Sequence, residues 1–360
     1  MGGVLDDAAA IAGYDSEGML GAIPRLADQL TDGWARTRSL DLPASHRNPP
    51  AAVVLGMGGS AIGADLVRAI YSDRLRVPLV TVRDYELPAF VRPPTLVVAA
   101  SHSGATEETL SAVGQAISRG CPVAVISTGG PLLAAARKGG LPFLDYVGES
   151  QPRASVGSGM ALLAGLLERA GCLDVGEEEF AEAAAAAREM AARCEPSVGT
   201  ESNPAKQLAW SLVDRLPVIE AGGFLGPVAR RWKTQLNENG KTTACWEELP
   251  EATHNAVVGY EQPESLHERT FVVLLASPDD HPRVALRRSL STELMAERQM
   301  SHEVVAVGGQ GRLAQAASAI TLGDFVSAYL GILYGLDPTP VAAISYVKER
   351  LAMADPDMVE

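Results

Sequence analysis

Apolar and polar positions along this chain follow two rhythms. Short, nearly unbroken apolar runs recur at 51–55, 78–82, 96–100, 122–127 and 141–146. Runs of that length, apolar at every position, read as strands of a parallel sheet covered on both faces. Stretches of helical period separate them, and the alternation predicts an α/β unit. From 155 to about 214 only the helical rhythm remains, including an alanine-rich stretch from Glu177 to Arg193. Strand-like runs return at 217–221, 270–276 and 303–307, again with helical stretches between them. A helix is expected over 225–237, stopped by Gly240, and a closing helix over 340–354. Residues 1–50 read as helical or irregular.

Two of the strand-like runs lead into turns built of small and hydroxylated residues. The first run is followed by Gly56-Met57-Gly58-Gly59-Ser60-Ala61-Ile62-Gly63, the third by Ser101-His102-Ser103-Gly104-Ala105-Thr106-Glu107-Glu108-Thr109. A strand, a small-residue turn and a helix start offer free backbone N–H groups at the positive end of a helix dipole. The hydroxyls of Ser60, Ser101, Ser103 and Thr106 donate to phosphate oxygens without adding charge. Two such turns on neighbouring strands suit one sugar phosphate. Other readings exist for each turn alone. Gly56-x-Gly58-x-x-Ala61, with Asp84 beyond the next strand, approximates a dinucleotide fingerprint. The serine-rich second turn has no place in that scheme. Thr106 with Glu107 and Glu108 also fits a plain helix cap, which accounts for one hydroxyl and not three. The lysine-bearing phosphate loop of nucleotide hydrolases does not occur. Ala221-Gly222-Gly223-Phe224-Leu225-Gly226 repeats the strand–glycine–helix plan without serines, as a second copy of the unit whose phosphate loop has been lost.

Composition narrows the classes. The 360 residues suffice for two domains with full cores, and a formal charge of −14 argues against nucleic acid and anionic membranes as partners. An anionic substrate then requires a locally positive site. The apolar runs are strand-length, so no membrane span is expected. No basic, apolar leader opens the chain, and Cys121, Cys172, Cys194 and Cys245 form no metal or redox motif, which together predict a reduced, cytoplasmic protein. His46, His267, His281 and His302 show no metal-ligand spacing, and no metal is expected. His102 reads as packing within its turn.

The two turns resemble the paired loops of the sugar isomerase (SIS) domain. Arg83-Asp84-Tyr85, Pro152-Arg153, Asn237-Glu238-Asn239-Gly240-Lys241, Pro250-Glu251-Ala252-Thr253-His254-Asn255 and Tyr346-Val347-Lys348 extend the likeness over most of the chain. Together they resemble the bifunctional phosphoglucose/phosphomannose isomerases. The resemblance implies two SIS-type domains, each a parallel sheet flanked by helices in the doubly wound, flavodoxin-like manner. The expected division is a helical or irregular segment over 1–50, a phosphate-binding SIS domain over 51–154 and a helical connection over 155–215. A second SIS domain over 216–335 and a C-terminal helix over 336–360, returning to the active site, complete it.

The implied activity interconverts glucose 6-phosphate and mannose 6-phosphate with fructose 6-phosphate through a cis-enediol, with no cofactor. By the same resemblance Glu238 moves the proton between C1 and C2, and Arg153 stabilises the developing enediolate. His254 and Lys348 open the sugar ring, with Lys241 as a local rival to Lys348. Gly59, Ser60, Ser101, Ser103 and Thr106 hold the phosphate. A homodimer is implied, with His254 supplied by the neighbouring subunit. Rival readings are an SIS enzyme for amino-sugar phosphates, a non-catalytic sugar-phosphate sensor, and an NAD-dependent dehydrogenase. No basic helix-turn-helix pattern supports the sensor.

Overall fold

The computed structural model describes residues 3–354. The ends of the expected first and last segments, residues 1–2 and 355–360, lie outside the described residues. Five strands form the first sheet: β1 (Ala52–Leu55), β2 (Leu79–Val82), β3 (Leu96–Ser101), β4 (Val123–Ser127) and β5 (Phe143–Asp145). All pair in parallel, in the order β2-β1-β3-β4-β5. This is the flavodoxin-like doubly wound order, whose ligand crevice lies where the strand order reverses, between β1 and β3. Every residue of β1, β3 and β4 is buried, which is why these strands read as unbroken apolar runs.

The second sheet comprises β6 (Leu216–Gly222), β7 (Cys245–Leu249), β8 (Thr270–Ala276) and β9 (Ser301–Ala306), again all parallel, in the order β7-β6-β8-β9. It repeats the first order without the last strand. One numbering shift carries the β1–β2 pair Val53 and Val80 onto the β6–β7 pair Val218 and Cys245, and Gly58 onto Gly223. Both glycines have positive φ, and the residues before them, Met57 and Gly222, share an extended conformation. The expectation of a second copy therefore holds at the level of register and backbone.

Strand β7 was not expected. Cys245-Trp246-Glu247-Glu248-Leu249 sits at an open sheet edge where only Leu249 is buried, so no apolar run announces it. The sequence places a polar loop there.

Helices α1 (Ala8–Tyr14), α2 (Met19–Ala22) and α3 (Leu26–Thr37) precede the first sheet, and α4 (Gly58–Ile70), α5 (Glu107–Ser118) and α6 (Gly130–Gly139) cross between its strands. The middle of the chain is α7 (Val156–Arg169), α8 (Glu177–Cys194) and α9 (Pro204–Leu212). The second half adds α10 (Gly226–Glu238), α11 (Pro282–Glu297), α12 (Gly311–Leu333) and α13 (Ala342–Met353). Helix α3 packs on α7 and α8, α4 packs on α7 and α10, and α12 packs on α8, α9 and α10. One apolar cluster thereby runs from Leu5 to Ile332 and includes inner faces of both sheets.

Helix α12 corrects the expectation that apolar stretches are only strand-length. Its mean hydropathy of 1.5 and its length would let it cross a membrane by composition alone, but 94% of that window is buried inside the protein. It is the central core helix. Trp232 of α10 lies so close to it that a Cβ on Gly323 would stand 2.3 Å from the indole, and the indole N–H donates to the Ala319 carbonyl at 2.8 Å.

Candidate active site

The two hydroxyl-bearing turns stand side by side at the C-terminal ends of β1 and β3, at the reversal of strand order. Gly58, at φ +49°, turns the chain from β1 into α4. Among the described residues no side chain caps the first turn of α4 or of α5, so their leading N–H groups remain available to an anion. The Ser60 hydroxyl accepts from the His102 N–H at 3.3 Å and ties one turn to the other. Ser101 is buried, accepts from the Gly104 N–H at 3.1 Å and pairs with the Thr106 hydroxyl at 3.0 Å. Ser103 is exposed and accepts from the Ala105 N–H at 3.2 Å. His102 packs edge-on against Tyr146, and burial lowers its pKa, with Glu149 opposing the shift.

The first turn touches the chemistry-bearing residues directly. A Cβ on Gly59 would lie 3.0 Å from the Pro152 carbonyl and 3.4 Å from the Arg153 nitrogen. Arg153 is 3% exposed, and all five of its donors are engaged. Nε donates to Asn239 Oδ1 at 2.6 Å, and Nη1 to Gln151 Oε1 at 3.1 Å and Glu238 Oε2 at 3.4 Å. Nη2 donates to the carbonyls of Pro338 and Thr339 at 3.0 and 2.6 Å. Burial pulls the Arg153 pKa down, and Glu238 and then Asp324 pull it back. The guanidinium is thus held in place on all sides and meets the Glu238 carboxylate through Nη1. Below it, Arg231 donates to the Arg153 carbonyl at 3.0 Å and to Asp324 of α12 at 2.6 Å.

Glu238 is the last residue of α10, and its side chain is 29% exposed. Asn239 beyond it is fully buried and also donates to Ser327 Oγ at 3.0 Å. Arg153 and Glu238, 85 positions apart in sequence, therefore meet beside the Gly59 turn.

His254 and Lys348 do not join them within one chain. His254 ends a short 3-10 helix, Glu251–His254, just after β7, and is exposed. Because β6 and β7 are parallel, α10 runs from the C-terminal to the N-terminal end of the second sheet. Glu238 and His254 consequently lie at opposite ends of that sheet, separated by the length of α10, about 20 Å. Lys348 lies on α13 and is exposed, and among the described residues it makes no hydrogen bond. Sequence reasoning missed the carbonyl clamp of Pro338 and Thr339 and the Arg231–Asp324 pair. A single aspartate inside the apolar pattern of α12 was the available signal for the pair. Backbone carbonyls leave none.

Fold and turns define a phosphosugar-type α/β protein with a carboxylate and a buried guanidinium beside an anion cradle. Comparison with known proteins agrees with that class. The bacterial phospho-glucose isomerase C-terminal SIS domain matches residues 201–351. A bifunctional phosphoglucose/phosphomannose isomerase from Caldicellulosiruptor bescii is 35% identical over 93% of this chain and 99% of its own length. The Aquifex aeolicus protein of the same name is 32% identical over 83% and 89%. The crystal structure of a glucose-6-phosphate isomerase-like protein from Thermus thermophilus superposes with a TM-score of 0.63 at 21% identity, covering 94% of this chain and 98% of that one. The chain belongs to the bifunctional phosphoglucose/phosphomannose isomerase family.

Proposed function

We propose that the protein interconverts glucose 6-phosphate and mannose 6-phosphate with fructose 6-phosphate by proton transfer through a cis-enediol. The observation that carries this reading is the meeting of Glu238 and Arg153 beside the Gly59 turn. The phosphate binds between the two turns, held by backbone N–H groups with Gly59, Ser60, Ser101, Ser103 and Thr106. That anchorage sets C1 and C2 before Glu238, one carboxylate serving both carbons. The Arg153 charge favours both the ionised carboxylate and the enediolate oxygen that forms next to it. One enediol is common to both aldoses, so dual specificity asks only that the site accept either configuration at C2. No step calls for a redox cofactor or a metal.

Ring opening requires a proton donor near the ring oxygen, and the remote position of His254 favours its supply by a second copy. In that reading His254 of the partner subunit, with Lys348, completes each site of a homodimer. Helix α13 supports it: Ile344, Val347 and Leu351, spaced along one face, are 41%, 53% and 53% exposed. Such a stripe is suited to a contact between copies.

Proton NMR of the protein with fructose 6-phosphate in deuterium oxide tests the reaction. Deuterium at C2 of both glucose and mannose 6-phosphate is expected; no turnover with saturable binding overturns the reading in favour of a sensor. Mixing Glu238→Gln with His254→Asn subunits tests the sharing. Heterodimers then carry one intact site, and about a quarter of wild-type activity returns. No recovery after verified exchange confines His254 to its own chain.

A further inference from the structure

We propose that Lys241 is a positioning residue that fastens the catalytic end of α10 to the carbonyl clamp around Arg153. The inference rests on Glu238 being the proton shuttle. After Glu238 the chain reverses sharply through Asn239 and Gly240. Gly240 is required there, since a Cβ would lie 2.8 Å from the Leu236 carbonyl and 3.3 Å from that of Ser327. The next residue, Lys241, holds φ +51°, a left-handed conformation that is strained for an L-residue with a long side chain. Glycine would take that conformation without strain. A lysine at this position therefore points to work done by its side chain.

That work is visible in its hydrogen bonds. The Lys241 ammonium turns back to donate to the Glu238 carbonyl and, at 2.9 Å, to the Pro338 carbonyl. The first acceptor is one of the last-turn carbonyls that α10 leaves without a helical partner. The second is the same oxygen that takes Nη2 of Arg153 at 3.0 Å. Lys241 and Arg153 thus grip one carbonyl from two sides, and Glu238 is carried between them. The segment so gripped leads directly into α13, so the same ammonium also fixes where the helix bearing Lys348 departs. Charged groups facing Lys241 are Arg153, Asp337 and Glu238, and its pKa is pushed down to about 8 by burial of the amine and by Arg153, against Asp337 and Glu238. The grip loses its charge as pH rises through that value.

Lys241→Gly tests the assignment, because glycine relieves the backbone strain while deleting the donor. The expected result is kcat lowered roughly ten- to a hundredfold, the scale for a displaced catalytic group. KM and the inhibition constant of a sugar-phosphate analogue should stay within about twofold, and thermal stability should not fall. Lys241→Arg should recover part of kcat and move the alkaline fall of the kcat profile upward. Wild-type kcat with an unmoved alkaline limb in Lys241→Gly overturns the inference, as does loss confined to KM. Should Lys241→Gly fail to fold, Lys241→Gln is read by the same criteria. Glu238→Gln assayed alongside separates the failures: an inactive Glu238→Gln beside a normal Lys241→Gly refutes only the role of Lys241. An active Glu238→Gln refutes the shuttle and this inference with it.

Discussion

The C-terminal ends of the two sheets share a backbone plan and differ in the side chains their turns present. At the first, Arg83 follows β2 and the turn after β3 offers Ser101, Ser103 and Thr106. Register places Glu248, Ala276, Pro278 and His281 at the matching positions of the second. Thr106 and His281 each occupy the position just before a helix, α5 and α11, and Asp279 and Asp280 sit within the second turn. The second end also opens into the larger cleft, about 950 Å³, whose lining mixes Glu248, Asp279 and Asp280 with Arg68, Arg76 and Arg312. Size alone would choose it. Its turn carries Ala276, Pro278 and His281 where the first end has Ser101, Ser103 and Thr106, so the first end alone combines uncapped helix N–H groups with those three hydroxyls. The second half reaches the first-half turns through its other end, where α10 brings Glu238 to Arg153. In the proposed mechanism a duplicated unit keeps binding in one copy and lends a proton carrier from the other.

The sharpest way to break this division is Glu238→Gln, expected to cost at least about 10²-fold in kcat while leaving sugar-phosphate affinity intact. Retained proton exchange at C2 would mean that the chemistry lies elsewhere.

A second contrast lies beneath the turns. Leu55 of β1 is an apolar core residue, but its counterpart in β6 is Glu220, 1% exposed and paired in register with Glu247 of β7. Burial, and then Glu247, raise the Glu220 carboxyl to about 7. The folded protein therefore keeps a proton that the unfolded chain releases near pH 4.5. Stability falls as pH rises through this window, by up to about 3 kcal/mol, and levels off above pH 8. Denaturant titrations at pH 5 and pH 8 should record that fall in the wild type and not in Glu220→Gln. An equal slope in both proteins removes Glu220 as its source.

Ser101→Ala combined with Thr106→Ala should weaken substrate binding by about 1–3 kcal/mol, read as KM and as inhibition by a sugar-phosphate analogue. Unchanged values would move the phosphate out of the first end. The smallest effect is expected at the second end, where Asp279→Asn with Glu248→Gln should shift KM by less than about twofold. A large change there would make the wider cleft part of the substrate path.

Much of this was legible before any coordinates. The buried strands β1, β3, β4 and β8 are apolar at nearly every position, and a parallel sheet covered on both faces demands that pattern. Gly56 to Gly63 and Ser101 to Thr109 were legible because an anion cradle constrains residue type locally. Glu238 and Arg153 came from resemblance, since neither differs in local pattern from a surface residue. Strand β7 was hidden by its edge position, and α12 by Gln315 and Asp324 within an otherwise apolar helix. The Pro338 and Thr339 clamp uses backbone oxygens, which every residue possesses, so no side-chain pattern marks it.

Asp65 of α4 and Arg230 of α10 are equivalent under the shift that relates the two halves, and they form an ion pair at 3.3 Å where those helices pack. Thr81 and Arg83 also bind Asp65. Two identical single-sheet chains meeting about a two-fold axis must present the same residue from each side, so an acid would oppose an acid. Joining the halves covalently removes that restriction, and each side of the axis becomes free to carry its own charge. The Asp65–Arg230 pair is a contact that two identical chains could not make at that position, and it holds together two halves that no longer need to be alike.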